Sequence, residues 1–228
     1  MRRSTATLAA AAAICVLTAG CASTGNAESM TPTRTLIPRP LVERELASLL
    51  LTPEEINAAM GTTGMAVTGS QSVMSDNNAT MSPPECLAVD GAAEALVYAD
   101  SGFRAERDES LNNGDDFTHY LKQAVVLFPT VEMAAAFFDA SAQQWPACRE
   151  YTHTQSGTQW FPGQISNGDG TLSTIATQKD AAAPGWACGR ALQLKNNIIV
   201  DINTCSANPA DSASKVAGLI ADDIGSRW

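Results

Sequence analysis

The segment WACGRALQLKNNIIVDINTC, Trp186 to Cys205, decides the fold. Two runs of alternating side chains flank Asn196-Asn197, and asparagine is one of the few residues that tolerates the positive φ of a two-residue hairpin turn. With Lys195 and Ile198 closing that turn, counting outward sets Cys188 opposite Cys205. Opposed pairs alternate in type, and the cysteines fall on a non-hydrogen-bonded pair, where Cα atoms lie about 4.5 Å apart, within disulfide reach. The same register sorts the side chains. Ala191, Ile198, Val200 and Ile202 share one face and read as core. Arg190, Asp201 and Asn203 lie on the cysteine face with Leu192, Leu194 and Ile199. Arg190 and Asp201 are diagonal neighbours there, which fits either a structural ion pair over the sheet or a polar pocket with Arg190 as its floor.

The other cysteines are sorted by the N-terminus. Arg2 and Arg3 precede an apolar run from Thr5 to Thr18, the length of a signal segment and short of the roughly 20 residues that span a bilayer. Leu17-Thr18-Ala19-Gly20-Cys21 closes it in the manner of a bacterial lipobox. Residues 1–20 are therefore expected to be a lipoprotein signal peptide, Cys21 the lipid-attachment residue, 21–41 a flexible tether, and 42–228 one globular domain outside the cytoplasmic membrane, held to the envelope by its lipid. With Cys15 in the leader and Cys21 lipidated, Cys86 and Cys148 pair by elimination once Cys188 and Cys205 have paired, as suits an oxidising compartment. Chain-entropy estimates give about 3 kcal/mol for the short loop and about 4 kcal/mol for the long one.

Loss of the leader moves the formal net charge from −10 to −12. Such an acidic domain repels nucleic acid and anionic headgroups, so no nucleic-acid partner is expected and membrane attachment falls to the acyl chains. No C-x-x-C occurs, and His119 and His153 stand near no ligand cluster in the sequence, so neither a metal nor a cofactor is expected. There is no G-x-S-x-G, and the cysteines read as oxidised, which disfavours an enzyme. The acidic turns at Asp115-Asp116 and Asn167 to Gly170 lack EF-hand spacing, and Asn78-Ala79-Thr80 is an isolated sequon.

Around the hairpin, the pattern predicts a helix from Val42 to Leu50 and another after Thr52-Pro53-Glu54-Glu55, which has the makings of a capping box. Thr63 to Val73 reads as a weak strand. A helical start follows at Pro83 to Leu87, and a short helix from Gly91 to Val97 leads to Tyr98. Phe103 to Ser110 and His119 to Phe128 form a hairpin. Thr130 caps a helix with Ala135, Phe138, Ala142 and Trp145 on one face, ending at Pro146. Strands follow over Thr158 to Ile165 and Leu172 to Gln178. A last helix from Pro209, capped by Asn208, buries Ala213, Val216, Leu219, Ile220 and Ile224. The expected class is α+β: a twisted antiparallel sheet with helices packed on it, two disulfides and a cleft.

Four stretches together resemble the PknH-like extracellular sensor domain family: Leu49 to Asn57; Cys86 with Tyr98 and Ser101-Gly102; Phe128-Pro129 through Ala135, Phe138 and Trp145 to Cys148; and Cys188-Gly189-Arg190-Ala191 with Asn196-Asn197 and Cys205. The resemblance implies a twisted antiparallel sheet, the same two bridges and a cleft suspected of holding an unidentified ligand. The sequence departs from the family's receptor kinase in showing no kinase domain and no spanning segment, only a signal segment and a lipid site. Two functions follow as expectations. In one, Arg190, Tyr98, Trp160 and Asp201 contribute to a site for a small polar or anionic envelope molecule, without catalysis. In the other, the domain docks on an envelope protein and binds no small ligand. Trp160 and Trp186 fit either core or ligand platform.

Overall fold

The computed structural model describes residues 38–227. The signal segment, Cys21 and most of the tether lie outside the described residues. Among the described residues no helix is long and apolar enough to cross a membrane.

A 3-10 helix, Glu43–Leu49, opens the domain in place of the expected α-helix, and its buried pair Leu46 and Leu49 has the three-residue spacing of that tighter coil. Helix α1, Pro53–Met60, begins as the sequence predicts: Thr52 Oγ1 accepts from Glu55 N–H while the Glu55 carboxylate accepts from Thr52 N–H. Strand β1, Ala66–Gln71, is followed by the two-residue β2, Met81–Ser82, and a 3-10 turn, Pro84–Cys86. That turn runs into α2, Leu87–Asp90, and α3 is only Ala95–Tyr98. The helix expected from Gly91 to Val97 begins only at Ala95, because Ala93 takes φ 52° and donates its N–H to the Asp201 carboxylate 108 residues away. A tertiary bond overrides local propensity there.

Strands β3, Ala105–Asn112, and β4, His119–Leu127, make the predicted hairpin. Thr130 caps α4, Val131–Gln144, whose buried face is Ala134, Phe138 and Ser141, continuing to Trp145. Ala135 and Ala142 are half-buried beside it. The short strands β5, Tyr151–His153, and β7, Ser166–Gly168, were not read from sequence; they flank β6, Thr158–Pro162. Then come β8, Thr171–Gln178, β9, Trp186–Lys195, β10, Ile198–Ala207, and α5, Ser212–Ser226. The last helix starts later than expected because the chain turns left-handed at Asn208 (φ 95°) and Ala210 (φ 46°). Leu219 is 41% exposed, not core. At 100° per residue it stands about 200° from buried Ala217.

All ten strands join one antiparallel sheet in the order β1-β3-β4-β10-β9-β8-β6-β5-β2, with β7 on β8. The central hairpin has the register counted from its turn: Lys195 faces Ile198, and Cys188 faces Cys205 with Cα atoms 4.1 Å apart and a 2.05 Å S–S bond. Cys86 and Cys148 form the other bridge. Both faces of the sheet are core. On one, Val200, Ile202, Ile198 and Ala191 meet α5 and the N-terminal helices. On the other, Leu192, Ile199 and the cysteines meet Tyr98, Phe138 and Trp145.

The segment ahead of the 3-10 helix is fastened to the hairpin turn. Leu41, the last residue assigned to the tether, is buried; its N–H donates to Asn197 Oδ1 (2.7 Å), and Asn197 Nδ2 donates back to Leu41 O (3.1 Å) and to Phe128 O (2.8 Å). Asn196 alone of the turn pair takes the positive φ. Asn197 is there for its amide.

Candidate functional site

Because side chains alternate, the register places a defined set on the cysteine face. Ser110, Lys122, Asn203, Arg190 and Thr174 form one row across β3, β4, β10, β9 and β8; Asn112, Tyr120, Cys205, Cys188 and Ala176 form the next. Where the segment before α3 leaves part of this face uncovered, a cleft of about 380 Å³ opens. That lies within the roughly 300–1,000 Å³ of small-molecule sites. Its floor is Tyr120, Lys122, Asn203 and the Cys188–Cys205 bridge.

One wall comes from the loop that follows α2. Ser75 pairs with this loop, its N–H donating to Ala93 O (3.0 Å) and its carbonyl accepting from Ala95 N–H (2.8 Å). Glu94 thereby turns inward, and Asn77 donates its side-chain N–H to one carboxylate oxygen (2.8 Å) and its backbone N–H to the other (3.2 Å). Burial pushes the Glu94 carboxyl above its ordinary pKa, against those two bonds. Gly91 makes room for this turn, since a Cβ there would sit 2.7 Å from a Glu94 oxygen. Asn203 Nδ2 donates to Asp90 O (2.8 Å) and fixes the loop's start to the floor.

The opposite wall is aromatic. Trp160 stacks on Tyr151 with centroids 6.2 Å apart and planes 5° apart, and His153 lies beside both rings. His153 Nε2 lies 3.0 Å from Asp90 Oδ1, and that hydrogen bond raises the imidazole pKa against the opposing effect of burial. At the mouth, Phe117, 42% exposed, meets Trp186 and Tyr120 with centroids 6.3 Å away in each case. Lys122 Nζ donates to Ser75 Oγ (2.8 Å) and lies 3.6 Å from Asp108 Oδ2.

Of the four ligand candidates read from sequence, Trp160 lines the cleft. Arg190, Tyr98 and Asp201 do not; each is 1–2% exposed. Arg190 Nη1 donates to Asp201 Oδ1 and to Ile202 O (both 2.6 Å), Nη2 donates to Ala88 O (3.0 Å), and the guanidinium lies 5.3 Å from the Trp145 ring. The other Asp201 oxygen accepts from Tyr98 Oη and Ala93 N–H. Burial, with the Asp201 charge second, lifts the Tyr98 hydroxyl well above its ordinary pKa. This network clamps α2, α3 and the loop between them onto the sheet and shapes the cleft from behind.

Sequence reasoning missed Asp90, Glu94, Lys122, Asn203 and His153 as cleft residues. Lys122 was the findable one: it falls on the same face of an apolar strand as Tyr120 and Ala124. Among the described residues no cluster of three or more His, Cys, Asp or Glu could hold a metal ion.

Comparison with known proteins agrees with this architecture. The sequence model of the PknH-like extracellular domain matches residues 41–223. The serine/threonine-protein kinase PknH of Mycobacterium bovis is 33% identical over 220 residues, covering 94% of this chain and 36% of the kinase. That of Mycobacterium tuberculosis is 33% identical over 192 residues, covering 82% and 30%. The chain thus spans about a third of the length of these relatives. The crystal structure of the extracellular domain of PknH from Mycobacterium tuberculosis superposes with a TM-score of 0.78 at 32% identity, covering 82% of this chain and 98% of that one. The chain belongs to the PknH-like extracellular domain family, and with it to extracytoplasmic domains of sensing or interaction type.

Proposed function

We propose that this chain is a lipid-anchored envelope protein whose domain binds a small polar molecule in the cleft and performs no catalysis on it. The observation that carries this reading is convergence: charged and amide side chains from three separate parts of the chain, Asp90 and Glu94 at the loop after α2, Lys122 on β4 and Asn203 on β10, meet beside aromatic rings in one concavity. Few-in-number, oriented polar groups among aromatic walls are what fixes a small ligand. The anchor rests on the lipobox ending at Cys21.

The test is native mass spectrometry on the mature chain carrying Cys21→Ser, purified from its native envelope background. A discrete extra mass, lost on Phe117→Ala, supports the reading. A clean apo mass, unshifted by envelope extract, sinks it. Palmitate labelling of the wild-type chain, abolished by Cys21→Ser, checks the anchor.

Docking on another envelope protein is the second reading. It is favoured by a groove of about 580 Å³ between Leu49 to Leu51 and α5, where Leu219 is exposed.

A further inference from the structure

The chemistry of the cleft narrows what can occupy it. An anion needs a free cationic fork or a cluster of unpaired donors. Arg190 is buried behind the cleft, with both Nη atoms bonded to Asp201, Ile202 O and Ala88 O, and does not line it, while the wall facing a ligand carries the carboxylates of Asp90 and Glu94. A cation meets the opposite obstacle. Lys122 is fixed in the floor by Ser75 and Asp108, and His153 is held against Asp90. Two acidic and two basic groups thus line the same small volume, so a net charge of either sign is repelled as much as attracted.

What remains unspent is hydrogen-bond acceptance and aromatic surface. A carboxylate offers about four lone-pair sites. Each Glu94 oxygen takes one bond from Asn77, and Asp90 Oδ1 takes one from His153. Asn203 gives an amide N–H to Asp90 O, and its Oδ1 lies 3.5 Å from the bridged Cys205 sulfur, which has no hydrogen to donate to it. Phe117 and Trp186, from different parts of the chain, both line the cleft with their rings set at 51° to each other. The negative face of an aromatic ring attracts the weakly positive hydrogens of C–H bonds polarised by neighbouring oxygens.

We infer that the cleft takes a neutral polyhydroxylated ligand, a saccharide that donates hydroxyl bonds to Asn203, Asp90 and Glu94 and lays a C–H face on Trp186 and Phe117. This rests on the ligand-binding reading above and specifies its ligand class. Hydroxyl recognition by buried acceptors also gives discrimination: a sugar lacking a bonded hydroxyl leaves an acceptor unpaired and is rejected by 10²-fold or more, on the order of what hydroxyl-reading sites achieve.

The experiment uses the mature Cys21→Ser chain with its tryptophan indoles followed by ¹H–¹⁵N NMR. Probes are neutral sugars (glucose, galactose, mannose, arabinose, maltose and cellobiose), acidic counterparts (glucuronate and glucose 6-phosphate) and cationic ones (glucosamine and choline). At least one neutral sugar is expected to shift the Trp186 and Trp160 indoles at least about tenfold more tightly than any charged probe. Trp186→Ala and Phe117→Ala are each expected to lower that affinity at least about tenfold with the melting temperature kept. Val131→Ser, 40% exposed on α4 and outside the cleft lining, is expected to change nothing. A panel with no neutral binder, or with a charged probe preferred, overturns the inference. If native mass spectrometry then finds a charged molecule on the protein, the binding reading stands and only the ligand class falls. If it finds a clean apo mass, both fall.

Discussion

Arg190 and Asp201 form a diagonal cross-strand ion pair at 2.6 Å with each side chain 2% exposed. Such a pair contributes through what its loss leaves behind: an uncompensated buried charge. Arg190→Ala is expected to destabilise the domain by about 3–5 kcal/mol, read from urea unfolding. Tyr98→Phe, which removes one donor to the same carboxylate, costs about 1–3 kcal/mol. The double change Arg190→Met with Asp201→Leu removes the stranded charge but still leaves Tyr98 Oη, Ala93 N–H and Ala88 O without their partners, so it recovers only part of the loss. An Arg190→Ala midpoint equal to wild type would contradict the clamp.

Glu106 gives the domain a pH dependence. Its carboxylate oxygens are buried with no hydrogen-bond partner, and burial, reinforced by Asp108 two residues on, pushes its pKa up to about 7. A folded pKa above the unfolded value means that the folded state holds the extra proton. The contribution is full below about pH 4.5 and is lost as pH rises through about 7. His153, also raised, acts in the same direction over the upper part of that window. Stability is expected to fall between pH 5 and pH 8. Glu106→Gln flattens that slope and raises stability at pH 8 by on the order of 1–3 kcal/mol. Parallel pH profiles for wild type and variant would be the contrary result.

The Cys188–Cys205 bridge closes a separation of 17 residues. Replacing both cysteines with alanine is expected to cost about 3 kcal/mol. Since the sulfurs form part of the cleft floor, the same variant loosens binding of whatever occupies the cleft, whereas Cys86→Ala with Cys148→Ala costs stability with a smaller effect on binding. Calorimetry beside a titration separates the two effects.

Asn197→Ala removes three hydrogen bonds that tie Leu41 and Phe128 to the turn. The expected loss is about 2–4 kcal/mol, with amide exchange at Leu41 accelerated well before global unfolding. Unchanged exchange at Leu41 would show that the segment is held by something other than Asn197.

The central hairpin was legible because its turn is short and its alternation strict, so one assumed turn placed ten opposed pairs and a disulfide. Arg190 and Asp201 were legible as neighbours for the same reason. The ion pair was one of the two readings open there and is the one observed, whereas its further partners, Ala88 O and Tyr98 Oη about a hundred residues earlier, were not legible. The cleft walls were hidden likewise: Asp90 and Glu94 reach the floor through Asn203, Asn77 and the Ser75 pairing, none implied by local pattern. The two-sided burial of the sheet is visible in part, since β10 reads Ile-Ile-Val-Asp-Ile, but Arg190, Asp201 and Asn203 on the cysteine face keep the alternation from marking that face as core.

The fastening of Leu41 to Asn197 has a mechanical consequence. A chain drawn taut ahead of Pro38 does not pull on a loose end. It loads the backbone of Arg39 and Leu41, and through the side chains of Asn196 and Asn197 that load passes to the tip of the hairpin whose other end carries Asn203 and the cysteine bridge. Tension on the tether and any occupant of the cleft would therefore act on different stretches of the same two strands.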